Sequence, residues 1–244
     1  MMNEKQNIGS LFDRIARTYD FVNHFLSLNI DKWWRRKAVK DLGKGGCPEL
    51  QCLDVAIGTA DLAIALAHRL EKNGTAFHIT GIDLSAEMMR LGEEKVQRQN
   101  LAQRITFMQA SALEMPFEDN SFDVVTCSYG VRNFSDLHKG LSEMQRVLKP
   151  GGELMILEFS YPENKVMAWA YDLYFSHVMP RVGRLLSKDK TAFNYFNRSV
   201  KNFVWGEEMC ECLRAAGFSS VTHRPLTFGI STIYGATKEN PSMK

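Results

Sequence analysis

The 244-residue chain is predicted to fold as one α/β domain. The expected architecture is a mostly parallel seven-stranded sheet with one antiparallel strand and helices on both faces. N-terminal helices precede it and a helical aromatic cap interrupts it. Three observations predict this. From about residue 50, short apolar runs alternate with amphipathic segments, the rhythm of strand–helix units that build a parallel sheet. Near the C-terminus, strands at 219–226 and 230–237 are separated only by Thr227-Phe228-Gly229, a link that allows an antiparallel pair but no parallel crossover. Between these regions the rhythm stops: residues 159–205 hold 11 of the chain's 26 aromatic residues.

Taken in order, residues 10–42 read as an N-terminal helical segment. Leu11, Ile15, Tyr19, Val22 and Phe25-Leu26 recur every three or four residues, and Trp33-Trp34 follow. The core is assigned to 50–158 and 204–237. Cys52–Ala56 is the first strand, and Leu62, Leu66 and Leu70 mark a helix. Phe77–Ile82 is the second strand, with a helix through Met88-Met89 and Val96. Ile105–Met108 and Phe122–Cys127 are the third and fourth. The helix Leu137–Leu148 ends at the turn Lys149-Pro150-Gly151-Gly152, and Glu153–Phe159 is the fifth. The cap insertion is 159–203, and the helix Glu207–Ala216 stops at Gly217. All of it, 1–244, is one domain.

With 45% hydrophobic and 24% charged residues, the chain has the balance of a globular protein rather than a disordered one. No run of ~20 apolar residues is present to span a bilayer, and the N-terminus has no apolar stretch of secretory type. The net charge of +2 is too balanced for a whole-surface nucleic-acid binder. Residues 1–40 and 160–203 nevertheless carry +4 each, leaving −6 for the remainder. Five cysteines without a C-x-x-C pair predict neither a disulfide framework nor a metal site. The expectation is a reduced cytoplasmic protein.

Leu53-Asp54-Val55-Ala56-Ile57-Gly58-Thr59-Ala60-Asp61 passes from a strand through a small-residue loop into a helix. Such a loop lets backbone approach a ligand and aims helix N–H groups at it. Asp83 closes the second strand, where a carboxylate can accept both hydroxyls of a ribose. Together they predict a nucleoside cofactor at the switch point of the sheet. Gly58 is the only glycine in the loop, so the G-x-G-x-x-G fingerprint of dinucleotide sites is absent and a pyrophosphate fits poorly. A tight structural turn with an incidental aspartate is the alternative.

The same loop, with Gly81-Ile82-Asp83-Leu84-Ser85, Ala110–Phe117, Asn120-Ser121-Phe122-Asp123 and Leu148-Lys149-Pro150-Gly151-Gly152, resembles the successive motifs of class I S-adenosylmethionine-dependent methyltransferases, a Rossmann-like fold. Tyr19-Asp20-Phe21-Val22-Asn23, Ser128-Tyr129-Gly130-Val131-Arg132-Asn133-Phe134, Leu157-Glu158-Phe159-Ser160 and Tyr171-Asp172…His177-Val178-Met179-Pro180-Arg181 resemble, more narrowly, the ubiquinone/menaquinone biosynthesis C-methyltransferases. The likeness covers roughly 10–237.

The resemblance implies S-adenosylmethionine as cofactor, bound by Gly58, Thr59, Asp61, Asp83, Ser111, Ala112 and Ser128. Thr59 would lie by the methionine or ribose portion, Ser111 and Ala112 by adenine, and Ser128 beside the sulfonium. Two departures stand out: Ile57 and Ala60 occupy places often held by glycine, and Ser111 one often held by Asn or Asp. Ala60 is read as small enough to be harmless, whereas Ile57 crowds the loop unless it points into the core.

A ring carbon becomes nucleophilic when a neighbouring hydroxyl, with a phenol-like pKa of ~10, is ionised. Arg132 stays protonated and is assigned to hold the oxyanion, with Asn133 as a neutral donor. His177 titrates near neutrality and is the candidate base. Tyr171 and Asp172 are the alternatives, as relay or as the group that orients the histidine. The implied reaction is C-methylation of demethylmenaquinol to menaquinol, with a prenylated benzoquinol as a second acceptor. Competing readings are methylation of another small molecule and a non-catalytic cofactor-binding subunit. A nucleic-acid methyltransferase is disfavoured, because Ser128-Tyr129-Gly130-Val131 stands where amino-methylating members carry Asn/Asp-Pro-Pro-Tyr. A prenylated substrate and the two basic segments together predict peripheral contact with the inner face of the membrane. Oligomeric state is left open.

Overall fold

The computed structural model describes Asp13 and residues 29–43, 48–174 and 198–240. Its seven strands are β1 (Glu49–Val55), β2 (Ala76–Asp83), β3 (Ile105–Gln109), β4 (Phe122–Ser128), β5 (Leu148–Phe159), β6 (Phe218–Leu226) and β7 (Ser231–Lys238). They form one sheet in the order β3-β2-β1-β4-β5-β7-β6. The first five run parallel. β7 inserts antiparallel between β5 and β6, one place in from the edge. The helices are α1 (Ile30–Ala38), α2 (Asp61–Lys72), α3 (Ala86–Arg98), α4 (Leu137–Val147), α5 (Lys165–Leu173) and α6 (Glu207–Ala215).

Alternation along the strands divides the core into two layers. On one face Cys52, Ile79, Val124, Met155 and Leu157 pack with α1 and α2, including Leu62, Leu66 and Leu70. On the other, Leu53, Val55, Val125, Cys127 and Ile156 pack with α4 and α6. The predicted turn 149–152 falls within β5. Phe122 still pairs with Leu148, then the register jumps to Val124 against Glu153. Gly151, at φ 79°, supplies the left-handed step in that irregularity.

Side-chain oxygens start three of the helices: Ser85 Oγ accepts from the Met88 amide at 3.2 Å, Asp136 Oδ1 from the Lys139 amide at 2.9 Å, and Asn164 Oδ1 from the Val166 and Met167 amides at 3.0 and 3.2 Å. At the start of α2, Ala60 is the N-cap residue and offers no side-chain bond; the Asp54 carboxylate of β1 is buried nearby, where the Ala63 amide favours its charged form. Of the N-terminal segment 10–42, the structure describes Asp13, α1 and the turn after it. Of the cap insertion 159–203, it describes 159–174, which include α5, and 198–203, helical over 198–202.

Candidate active site

The parallel order reverses between β1 and β4, and the crevice beyond the carboxyl ends of those strands is where ligands bind in such sheets. A solvent-open cleft lies there, lined by Gly58, Asp83, Ser111, Ser128 and Asn133 among others.

Asp83 is held by backbone. Its Oδ2 accepts from the Gly58 amide at 2.9 Å and its Oδ1 from the Ser85 amide at 2.9 Å. Each oxygen keeps a further lone pair for a diol. Burial pushes its carboxyl above the ordinary range, and the amides of Ser85, Gly58 and Leu84 oppose that shift. Gly58 sits at φ 53°, and a Cβ there would meet only Met88 Cε at 3.5 Å and the Ala56 carbonyl oxygen at 4.0 Å. Its bareness therefore leaves space over the loop.

Ile57 does point into the core. It is 5% exposed, and its Cδ1 lies 2.0 Å from where a Cβ on Gly81 would be. Ala60 is less innocuous than its size implies. It adopts φ 65°, ψ 17°, a left-handed backbone that costs a residue with a Cβ ~1–2 kcal/mol.

Thr59 does not cap α2. Its Oγ1 accepts from Lys95 Nζ at 3.1 Å, and the same ammonium reaches Asp61 Oδ1 at 2.8 Å. From the opposite side Arg35 of α1 places Nη2 3.7 Å from Asp61 Oδ2. Arg35 also pairs with Asp31 and lies 5.6 Å from the centre of the Tyr129 ring. Its buried Nε has no hydrogen-bond partner among the described residues, and the residue lines the cleft. Sequence reasoning missed Arg35, since only the fold brings α1 to the loop after β1. Ser111 Oγ accepts from the Leu113 amide at 3.2 Å, closing a short turn beside Ala112.

On the acceptor side, Asn133 lines the cleft with Nδ2 3.4 Å from the Tyr129 carbonyl oxygen. Arg132 turns inward. Its side chain is 3% exposed, with Nη1 2.7 Å from Glu158 Oε1 and 2.5 Å from the Tyr129 carbonyl oxygen. The guanidinium lies 5.4 Å from the centre of the Phe159 ring. Glu158 is fully buried. Burial raises its carboxyl, opposed chiefly by the Arg132 charge. Sequence reasoning passed over Glu158 as a site residue. The signal was a lone acid ending the apolar run Leu154–Phe159, at the carboxyl end of a parallel strand.

Tyr171 is buried, edge-on to Tyr161 with ring centres 5.6 Å apart. Burial pushes its hydroxyl up, moderated by the Arg132 charge, so it stays protonated at neutral pH. Asp172 is tied to Lys201 Nζ at 2.7 Å and to the Tyr161 hydroxyl at 2.7 Å. Lys201, then Tyr161, hold its carboxyl below the usual range. That suits a latch across the cap better than a proton acceptor. His177 lies outside the described residues.

An antiparallel strand slipped between the last two strands of an otherwise parallel sheet, with a small-residue loop facing a carboxylate at the switch point, is the arrangement of the class I methyltransferases. The chain belongs to the ubiE/COQ5 methyltransferase family, whose model matches residues 1–238. It is 45% identical over 235 residues to the demethylmenaquinone methyltransferase of Bacteroides fragilis, covering 96% of this chain and 94% of that one. It is 42% identical over 233 residues to the ubiquinone/menaquinone biosynthesis C-methyltransferase UbiE of Geotalea daltonii, covering 96% and 97%. Among solved structures, the [4+2]-cyclase SpnF shares the fold at TM-score 0.71 and 19% identity, covering 97% of both chains. The Haemonchus contortus phosphoethanolamine N-methyltransferase 2, in complex with S-adenosyl-L-methionine, does so at TM-score 0.67 and 17% identity, covering 98% of this chain and 61% of that one.

Proposed function

We propose that this chain methylates a ring carbon of demethylmenaquinol, giving menaquinol, with S-adenosylmethionine as methyl donor. The carrying observation is a cleft whose two ends match the two halves of that reaction. One end offers a ribose carboxylate, Asp83, and a buried guanidinium atom, Arg35 Nε, suited to a carboxylate tail. The other leads through Ser128 and Asn133 to the Arg132–Glu158 pair. The residues present fit the cofactor: Asp83 would take the ribose hydroxyls, Gly58 leaves the loop bare, and Ser111 and Ala112 border the adenine end. When bound, it supplies an electrophilic methyl group on sulfur.

The rest falls to the chain's own groups. Ionisation of the quinol hydroxyl makes the neighbouring carbon nucleophilic, and the methyl gained is balanced by loss of the ring proton. Asn133 donates toward the oxygen, and Arg132, fixed by Glu158, supplies positive potential behind it. His177 is assigned the proton on sequence grounds, with Tyr171 as relay. Asp172 serves to hold the cap.

Contact with an anionic membrane surface is part of this reading, because the acceptor carries a polyprenyl tail. Exposed Val166 and Trp169 on α5, Trp33 on α1 and Phe228 in the β6–β7 turn, with Lys32, Arg36 and Lys37 beside Trp33, support it. Among the described residues no helix is long and apolar enough to cross a membrane.

The test is a methyl-transfer assay with purified protein, labelled donor and chemically reduced acceptor, read by mass spectrometry. Demethylmenaquinol should gain one methyl on carbon. Turnover of a prenylated benzoquinol alone would transfer the reading to that acceptor, and turnover of neither would overturn it.

A further inference from the structure

At the β6 edge of the sheet, α6 and β6 bring together three donors that take no part in the cleft. Glu207 and Cys210 stand three residues apart and share one face of α6. His223 of β6 meets them. Cys210 Sγ lies 3.4 Å from His223 Nδ1, Glu207 Oε2 lies 3.8 Å from the same nitrogen, and the three donor atoms fall within 4.8 Å of one another. We propose that Glu207, Cys210 and His223 form a zinc-binding site, with water as the fourth ligand.

The spacing is the first ground. Tetrahedral zinc holds sulfur at about 2.3 Å and imidazole nitrogen at about 2.0–2.1 Å, which places the two ligand atoms about 3.5 Å apart. The observed 3.4 Å needs almost no adjustment. A thiol–imidazole hydrogen bond and a carboxylate–imidazole ion pair each account for one contact, whereas a single ion accounts for all three donors meeting at one point. Glu207 Oε2 must close by about half an ångström toward the imidazole nitrogen and by up to about an ångström toward the sulfur to complete the tetrahedron, and at 60% exposure it has room to move.

The surroundings are the second ground. Arg214 Nη1 holds Glu207 Oε1 at 2.7 Å, which leaves Oε2 for an ion. Ligating carboxylates are commonly oriented in this way. Cys210 lies buried at the base and His223 is 30% exposed, so an ion can enter from solvent. A thiolate, an imidazole and one carboxylate select zinc over magnesium or calcium, which favour all-oxygen ligand sets. The sequence reading expected no metal because it looked for paired cysteines, whereas these donors come from a helix face and a strand.

The location indicates a structural role. Gly206 precedes α6 and its amide donates to the Tyr234 hydroxyl at 2.9 Å, and the His223 ring lies 6.3 Å from that of Tyr234. A bound ion would fasten the first turn of α6 to the edge strand, where the chain returns from the cap to the sheet.

The experiment titrates chelator-stripped, reduced full-length protein with Co²⁺ and then Zn²⁺. A thiolate-to-cobalt charge-transfer band should saturate at one equivalent, and one equivalent of Zn²⁺ should bleach it. Cys212→Ser should keep the band and Cys210→Ser should lose it. His223→Gln, a part-exposed position on the edge strand, should weaken binding at least about tenfold and abolish the rise in Tm that Zn²⁺ gives the wild type. Absence of a saturable band in the wild type, its survival in Cys210→Ser, or unchanged affinity in His223→Gln would overturn the proposal. Methyl transfer is not the readout, so the outcome is independent of the reaction assigned to the cleft.

Discussion

The loop after β1 and the turn after β4 both deliver polar groups to the same cleft, and they are built on different principles. Around Asp83 the contacts are backbone amides: Gly58 and Ser85 fix the carboxylate. Around Arg132 the contacts are side chains from distant segments. Glu158 comes from β5, Phe159 lies under the guanidinium, and Tyr171 reaches in from the cap. An amide-built site survives loss of the side chain it holds, because the scaffold persists. A charge-built site fails as a unit, because each half leaves the other stranded in a buried place.

The largest effect expected is therefore at the buried pair. Arg132→Ala should lower kcat by about tenfold or more, through loss of the potential behind the Asn133 donor, with cofactor affinity unchanged. It should also cost about 3–5 kcal/mol of stability, since the Glu158 charge is left uncompensated. Glu158→Gln should reproduce both losses in part. Steady-state kinetics beside urea denaturation would decide, and a purely kinetic effect would show that the pair is more accessible to water than its burial implies.

Next is Asp54, which is buried under the cofactor loop and bonded to Thr126 Oγ1 at 2.7 Å. Burial pushes its carboxyl up to about 7. The stability it allows is complete below the ordinary carboxylate range and is lost as the pH rises through about 7. Between pH 5 and 8 the wild type should lose roughly 2–3 kcal/mol relative to Asp54→Asn. Parallel urea titrations at the two pH values measure the difference, and equal slopes for both proteins would mean that Asp54 is ionised throughout.

Asp83→Ala should weaken S-adenosylmethionine binding by about 1.5–3 kcal/mol, the worth of charge-assisted hydrogen bonds, while the fold persists on its amides. Calorimetric titration tests this, and undiminished affinity would remove the ribose role. The smallest effect belongs to Ala60→Gly. Relief of the left-handed backbone, ~1 kcal/mol, is nearly offset by loss of a buried methyl, ~0.8 kcal/mol. Stability should change by less than about 0.5 kcal/mol, and a thermal melt shifted strongly downward would show that the methyl matters more than the strain.

The sheet was legible in the chain because buried parallel strands are continuous apolar runs and each helix keeps its own period. Leu53–Val55, Ile79–Ile82 and Val124–Cys127 all stand where their runs placed them. Asp83 was legible for a local reason, being the polar residue that ends a strand. The partners of charged residues were not. Nothing near Arg132 in sequence indicates that it turns from the cleft to Glu158, because the attraction exists only once β4 and β5 pair. Arg35 was hidden likewise, read as one basic residue among several on α1 when it is the one that reaches Asp61.

Ile57 and Gly81 share a single methyl-sized volume between the loop and β2. Each defines what the other is permitted to be. A scan that alters one position at a time would mark Gly81 as intolerant of even an alanine and would credit the requirement to glycine itself. Most of the restriction belongs to the neighbour's branch, and trimming residue 57 to alanine would relieve it to a tight contact, its Cβ standing 3.0 Å from that point. Mutational tolerance at these two sites is a property of the pair, so the route by which either changes depends on which changes first.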